Sequence, residues 1–316
     1  MEQEYKLHFS KPILKIKDVS DKLPGFCRYP VPMAKKSLLL EFAGTTLLQQ
    51  TIQCDIFRID IFQLDSQDDF IAYYNLDQQR IFLNFVLSNP ILFKNLDGAQ
   101  ITRPDTCSFY LSAEQAGNYR VECSQGSTDL VVISLDPDWL RRAISPYPIL
   151  SQVLAFLLVS NNPFDVLPHF RIDLAVRQWL FAVLAFDHEN PIAQLGELQK
   201  YIAISLHHYE QLLARSNRTQ LYLIKLHIDQ HYSSPELDLN HLPHHLALSD
   251  TSIVRRFKKE YGTTIRNYCI RVRMQQAHRL LTQENQAISE VYPVAGYINE
   301  NSFRKAYRKY LLQLNH

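Results

Sequence analysis

The sequence of 316 residues predicts an α+β chain: a β-rich N-terminal part, a run of helices, and an all-α C-terminal part built from two helix-turn-helix motifs. Three observations predict it. From Ser37 to about Leu135, short apolar runs alternate with polar residues between Gly and Asn/Asp turns, the period-two pattern of strands. From Asp136 onward, apolar residues recur every three or four positions, the period of helices. Charge is also divided. From Leu221 on there are 13 Lys and Arg against 8 Asp and Glu, while the remainder has 20 against 24, so a chain of net charge +1 hides a basic end of +5. A basic part beside a mildly acidic one suits one domain for a polyanion and another for a separate task.

In chain order, residues 1–36 carry Pro12, Pro24, Pro30 and Pro32, which discourage long elements and predict an extended arm and loops. Phe57, Ile59 and Ile61 alternate with Arg58 and Asp60. Tyr119, Val121 and Cys123 alternate with Arg120 and Glu122. Ile81 to Leu87 is apolar on both sides, and Leu130 to Ser134 reads as another buried strand. Leu96-Asp-Gly98, Ala116-Gly-Asn118 and Gln125-Gly-Ser127 supply turns. Many short strands predict a sandwich or a barrel. Asp136 then caps a helix with Pro137 in its first turn, and 150–159 and 170–186 read as further helices. In the helix 192–213, Leu195, Leu198, Ile202, Leu206, Tyr209 and Leu213 fall on one face. That face either packs on its own domain or forms a dimer surface. Polar 214–220 reads as a linker.

The basic end is organised around Ser249 to Gly262. Ser249 suits an N-cap, Ile253 and Phe257 share a face, and Gly262 can take the left-handed conformation that ends a helix. Arg255, Arg256, Lys258 and Lys259 cover most of the remainder, which suits the approach to a polyanion. With a short helix at 238–246 before it, this makes a helix-turn-helix. A connecting helix follows over 264–281, spanning about 27 Å at ~1.5 Å per residue. Ile288 to Ala295 and Asn299 to Tyr310 repeat the arrangement, with Gly296-Tyr297 as the turn, Asn299 as the cap, and Phe303, Ala306 and Tyr307 as the buried stripe. Two readers so joined would reach successive major-groove openings, on the order of 34 Å apart.

The stretch from Leu221 to Tyr310 resembles the DNA-binding domain of the AraC/XylS family of transcriptional regulators. Ile228-Asp-Gln-His-Tyr232, Leu239, Leu242, Ser249, Ile253, Arg256-Phe-Lys-Lys-Glu260 and Gly262 carry the first half of the resemblance. Tyr268, Arg273, Ala277, Leu280-Leu281, Ile288-Ser-Glu-Val291, Gly296-Tyr297 and Ser302-Phe303 carry the second. The departures are Pro243 and Tyr292 where the family has a small alanine, Pro293 after it, Ala247 in place of a turn glycine, and no Gly-x-Thr-Pro segment after Tyr310. They weigh most on the second motif, which is expected to discriminate sequence less than the first.

The resemblance implies a cupin-like barrel for residues 1–136, a helical dimerisation region over 137–213, the linker 214–220 and a double helix-turn-helix domain over 221–316. It implies that Thr251, Val254 and Arg255, and then Glu300, Asn301, Arg304 and Lys305, occupy base-reading positions. Arg pairs with guanine, and Thr and Val meet a thymine methyl. Ser249, Lys258, Lys259, Arg308 and Lys309 are expected at phosphates. The implied protein is a cytoplasmic, homodimeric regulator of transcription that binds double-stranded DNA under control of a small-molecule effector. Phe57, Phe85, Tyr110 and Tyr119 would line the effector pocket or simply pack the core. The N-terminal arm would cover a ligand or lie as a packed tail. The alternative is a small-molecule-binding or protein-interaction module with a degenerate DNA-binding domain.

Other classes find less support. Ser37–Leu135 contains no histidine, so the several imidazoles of a metal-dependent barrel enzyme are missing there. His241, His244 and His245 have a spacing that can bind zinc, but Pro243 interrupts them, and they read as a solvated face. No nucleophile elbow or phosphate-binding glycine loop occurs, so no enzyme, metal or cofactor is expected. Five cysteines without a C-x-x-C pair read as reduced thiols. The N-terminus lacks the apolar segment of a signal peptide, and no apolar run reaches the ~18 residues of a membrane span.

Overall fold

Two compact units divide the chain, Met1–Ala214 and Arg215–His316. The structure, a computed structural model, describes residues 5–54, 56–158, 160, 162–186, 190–235, 237 and 253–314.

The first unit holds two antiparallel sheets. Five strands run in the order β1 (Lys6–Phe9), β6 (Phe70–Leu76), β11 (Gly117–Cys123), β8 (Ile91–Asn95), β9 (Gln100–Thr102). The larger sheet runs β13 (Phe164–Val166), β10 (Ser108–Glu114), β7 (Arg80–Ser88), β12 (Gly126–Leu135), β5 (Phe57–Ser66), β4 (Thr45–Gln53), β3 (Lys36–Phe42), β2 (Lys15–Asp18), with β14 (Phe170–Arg171) also on β10. Among the described residues no ladder joins the ends of either sheet, so the expected barrel is two facing sheets rather than a closed cylinder. Leu40, Phe42, Leu47, Leu64, Val86 and Tyr110 from the larger sheet meet Phe70, Ile91, Phe93 and Cys123 from the smaller in one core. The arm expected over 1–36 is partly sheet. β1 pairs with β6 and β2 with β3, because each apolar-polar tetrapeptide is free of proline and fits an open sheet edge.

Helices cover the outer face of the larger sheet, which explains why β7 is apolar on both sides. Phe85 meets Trp179 of α3 (Leu174–Ala185) at 5.1 Å, and Phe57 meets Trp139 of α1 (Pro137–Ile144). The Asp136 carboxylate accepts from the Trp139 amide at 2.7 Å, the expected cap. α2 (Pro148–Leu157) is capped from a distance. The Glu210 carboxylate, on α4 (Pro191–Arg215), accepts from the amides of Ile149 and Leu150 at 3.1 and 2.9 Å. The apolar face of α4, read as either an internal face or a dimer surface, is buried within the chain. Leu198, Ile202, Leu206 and Tyr209 are fully covered, and the Tyr209 ring packs on Phe109 and Phe170. That face is therefore not available to a second copy.

In the second unit, α5 (Asn217–His231) begins two residues after α4 ends, so the polar stretch 214–220 continues in helix around Ser216. α6 (Ile253–Tyr261), α7 (Ile265–Thr282), α8 (Ile288–Val294) and α9 (Glu300–Leu314) follow. The Thr264 hydroxyl accepts from the Asn267 amide and starts α7, whose 18 residues match the expected connecting helix. α7 serves two cores in turn. Its Ile265, Tyr268 and Cys269 join Leu221, Ile224 and Ile228 of α5 with Ile253 and Phe257 of α6. One and a half turns later, Met274, Ala277 and Leu280 join Val291, Ala295 and Phe303.

Candidate nucleic-acid interface and small-molecule cavity

Each basic helix is held by one deep aromatic side. Phe257 is fully buried and meets Tyr268 edge-on at 5.8 Å, while Ile253 lies beside it, and burying such side chains stabilises by about 1.5–3 kcal/mol each. Phe257 and Ile253 thereby turn Val254, Arg255, Lys258 and Lys259 outward, all exposed. Gly262, at φ +67°, ends the helix in the left-handed conformation that glycine adopts without strain. On α9, Phe303 is fully buried, stacked on Tyr307 and edge-on to Tyr297. Asn299 caps this helix, its side-chain oxygen accepting from the Ser302 amide at 2.9 Å. Asn301, Arg304, Lys305, Arg308 and Lys309 are exposed, and Glu300 is half-buried.

The two basic faces differ in how free their charges are. Arg304 forms an ion pair with Glu300 one turn earlier, at 2.6 Å. Arg255 has no bonded partner among the described residues. The second motif is nonetheless well packed. Tyr292 lies at the edge of its core rather than at the closest helix contact, and Pro293 is one residue from the end of α8 with its ring exposed. So late in a helix, proline deletes one backbone bond and leaves room for its ring. The departures from the family pattern there do not open its packing.

Inside the first unit, a cavity of about 120 Å³ lies between the two sheets. Its walls are almost entirely hydrocarbon, from Leu7, Phe9, Phe62, Phe70, Phe93 and Leu130 among others. Three buried polar side chains break them, Asn84, Glu114 and Thr128. The Glu114 carboxyl accepts from the Tyr74 hydroxyl at 2.7 Å and the Ser112 hydroxyl at 2.8 Å, and Ser112 accepts in turn from Asn84 at 3.0 Å. Burial pushes the Glu114 carboxyl up to about 7, against the two hydroxyls, which favour its charged form.

A family model described as a helix-turn-helix domain matches residues 242–313, a span that contains both basic helices. A 134-residue stretch is 27% identical to the Msm operon regulatory protein of Streptococcus mutans, covering 41% of this chain and 48% of that protein, so the chain spans about half the length of the curated relative it matches. The C-terminal domain of the two-component response regulator yesN from Fusobacterium nucleatum is 28% identical over 30% of this chain and 96% of its own, with a TM-score of 0.28. ToxT from Vibrio cholerae aligns over 80% of this chain and 94% of its own, at 13% identity and a TM-score of 0.31.

Within the helix-turn-helix domain, Val254, Arg255, Asn301, Arg304 and Lys305 all stand on outward faces at the starts of α6 and α9, and Lys258, Lys259, Arg308 and Lys309 one turn further on. Ser249, Thr251 and the histidines 241, 244 and 245 lie outside the described residues. Arg273, named in the resemblance without a role, donates to the carbonyls of Tyr232 and Ser234 at 2.7 and 2.9 Å and lies over the Tyr297 ring. Its signal was an arginine facing inward on a helix whose other arginines point out.

Phe57, Phe85, Tyr110 and Tyr119 are not brought together around the cavity. Phe57 and Phe85 face the helices on the far side of the larger sheet, Tyr110 packs on His169, and Tyr119 donates to the carbonyls of Gln115 and Pro163. The cavity's polar residues were visible as interruptions of apolar strands, Asn84 within Ile81–Leu87 and Glu114 at the end of Phe109–Ala113. Among the described residues, no group of three or more His, Cys, Asp or Glu is placed to hold a metal, and no helix is long and apolar enough to cross a membrane.

Proposed function

We propose that this protein is a sequence-specific, double-stranded-DNA-binding regulator of transcription, and that a small-molecule effector in the cavity of the first unit controls it. One observation carries the DNA-binding part. Two helices, each seated on a buried phenylalanine and each presenting a basic outward face, are separated by the 18-residue α7 and the short α8. At about 1.5 Å per residue α7 spans ~27 Å, and the turns at its ends bring the readers towards the ~34 Å repeat of the major groove. In this reading Thr251, Val254, Arg255, Asn301, Arg304 and Lys305 meet base edges, with Glu300 able to accept from cytosine. Ser249, Lys258, Lys259, Arg308 and Lys309 meet phosphates and fix the register.

The cavity supports the effector part. A concave, mostly apolar space with a few polar anchors is the ordinary form of a small-molecule site. The reading includes a homodimer, whose contact surface has to lie elsewhere than the buried face of α4. A gel shift of the full chain with genomic fragments flanking its own coding region tests DNA binding. One fragment retained against an excess of unrelated DNA is the expected result, and equal affinity for every fragment removes sequence specificity from the reading. Light scattering at micromolar concentration tests the dimer.

A further inference from the structure

The cavity's chemistry restricts what it can select, and the argument rests on the effector part of the reading above. Its walls are hydrocarbon from both sheets, and its size is of the order of one aromatic ring, since a cavity of about 150 Å³ holds benzene. A purely apolar occupant would need no acidic group. Yet β10, buried over its whole length, ends in Glu114, whose carboxyl reaches across to Tyr74 on the opposing sheet and helps line the space. Both hydroxyls that bond this carboxyl donate to it and favour its charged form, against the burial that opposes it, so a charge at that end of the cavity is hydrogen-bonded but lacks a cation among the described residues that line it.

We propose that the cavity selects a small apolar amine, its hydrocarbon part filling the space between the sheets and its ammonium group donating to Glu114. An alkylammonium is protonated at neutral pH, as lysine is. Brought against Glu114 in a low-dielectric interior, it forms a charge-assisted hydrogen bond and offsets the desolvation that now opposes the carboxylate. A carboxylic acid of the same size meets a like charge or forces both groups to hold protons. A neutral analogue gains the apolar contacts and at most one neutral hydrogen bond. Because Glu114 is about half protonated near neutral pH, binding the cation also drives off its proton.

Calorimetric titration of the full chain at pH 7 with benzylamine, benzyl alcohol and benzoate tests this. Benzylamine should bind at least tenfold tighter than the other two. Repeating the titration in buffers of different ionisation enthalpy should show roughly half a proton released per amine bound. Glu114→Gln should lose the preference for the amine at least tenfold while its circular dichroism stays that of the folded chain. If that variant does not fold, Ala72→Leu decides, because it fills the cavity from the opposite sheet without altering Glu114 and should abolish amine binding. Equal binding of the three ligands, preference for benzoate, no benzylamine binding at millimolar concentration, or amine binding unaltered in the folded variants overturns the proposal. Benzylamine that binds as expected without changing DNA affinity overturns the effector reading and leaves the cavity's selectivity standing.

Discussion

Gly296 faces the backbone carbonyl of Tyr232 so closely that a Cβ at residue 296 would lie 2.5 Å from that oxygen. The same oxygen accepts the Arg273 Nε–H at 2.7 Å, and the Arg273 guanidinium would be 3.0 Å from the added carbon. Three segments converge there: the end of α5, the middle of α7 and the turn between α8 and α9. Arg273 satisfies carbonyls left open after α5 ends, and only a residue without a side chain lets the turn close over it.

Gly296→Ala should therefore destabilise the second unit well beyond the cost of its backbone conformation alone. Gly262 supplies the control. It too has positive φ, +67° against +77°, but nothing lies within 4 Å of its added carbon. Gly262→Ala should cost about 1–2 kcal/mol, the left-handed penalty. Gly296→Ala should cost roughly 3 kcal/mol or more, since the backbone or Arg273 must also shift. Thermal unfolding of both variants compares them, and equal losses would show that the close approach to Tyr232 carries no strain.

Glu114 gives the stability a pH dependence of known sign. Its folded value is near 7 and an unfolded glutamate titrates near 4.3, so the folded chain holds the extra proton between them. Stability from this group is fullest below about pH 4 and falls as pH rises to about 7, by on the order of 3 kcal/mol in all. Glu114→Gln should remove that part of the slope. Its melting temperature should match or trail the wild type at pH 5 and exceed it at pH 8. Parallel curves for the two proteins across this range would remove Glu114 as the source.

The buried side of α4 makes a different kind of prediction. Leu198→Glu places an unpaired charge where the side chain is fully covered, which costs several kcal/mol and should unfold the first unit rather than alter its association. Ile204→Glu, on an exposed side of the same helix, should change stability by no more than about 0.5 kcal/mol. Denaturant unfolding of the pair reads the difference. A Leu198→Glu chain as stable as the wild type would contradict the packing.

What could be read in the sequence was whatever a local period or a cap encodes. β7 was legible as two-sided from its composition alone. The 18 residues of α7 followed from Thr264 and the spacing after it. Closure of the sheets was not legible, because it depends on which strands pair at the edges, and tetrapeptides such as Lys15–Asp18 carry too little pattern to declare themselves. The buried face of α4 showed its apolar stripe but not what covers it, since a stripe inside a domain and one at an interface have the same spacing. Arg255 and Lys305 could be placed outward from the phenylalanines behind them. The cavity could not be located, because Phe57 and Phe85 share their residue type with Phe62 and Phe82 yet face the other side of the sheet.

The two basic helices should contribute unequally to DNA recognition, with α6 the main reader of sequence. Arg255 is exposed and unpaired among the described residues, free to make a bidentate contact with guanine. Arg304 must first leave Glu300, and its neighbour Lys305 is a point charge without the fixed fork that discriminates bases. Arg255→Ala should cost about 1–3 kcal/mol on the preferred site and flatten discrimination at one base pair. Lys305→Ala should weaken all sequences about equally. Both measurements belong at fixed salt, because with several phosphates neutralised the wild-type affinity should itself fall roughly tenfold to a thousandfold between about 50 and 200 mM. Binding of each variant to the preferred site and to its single-base variants decides the assignment. Discrimination lost in Lys305→Ala and kept in Arg255→Ala would reverse the roles of the two helices, and affinity indifferent to salt would remove the phosphate contacts on which both depend.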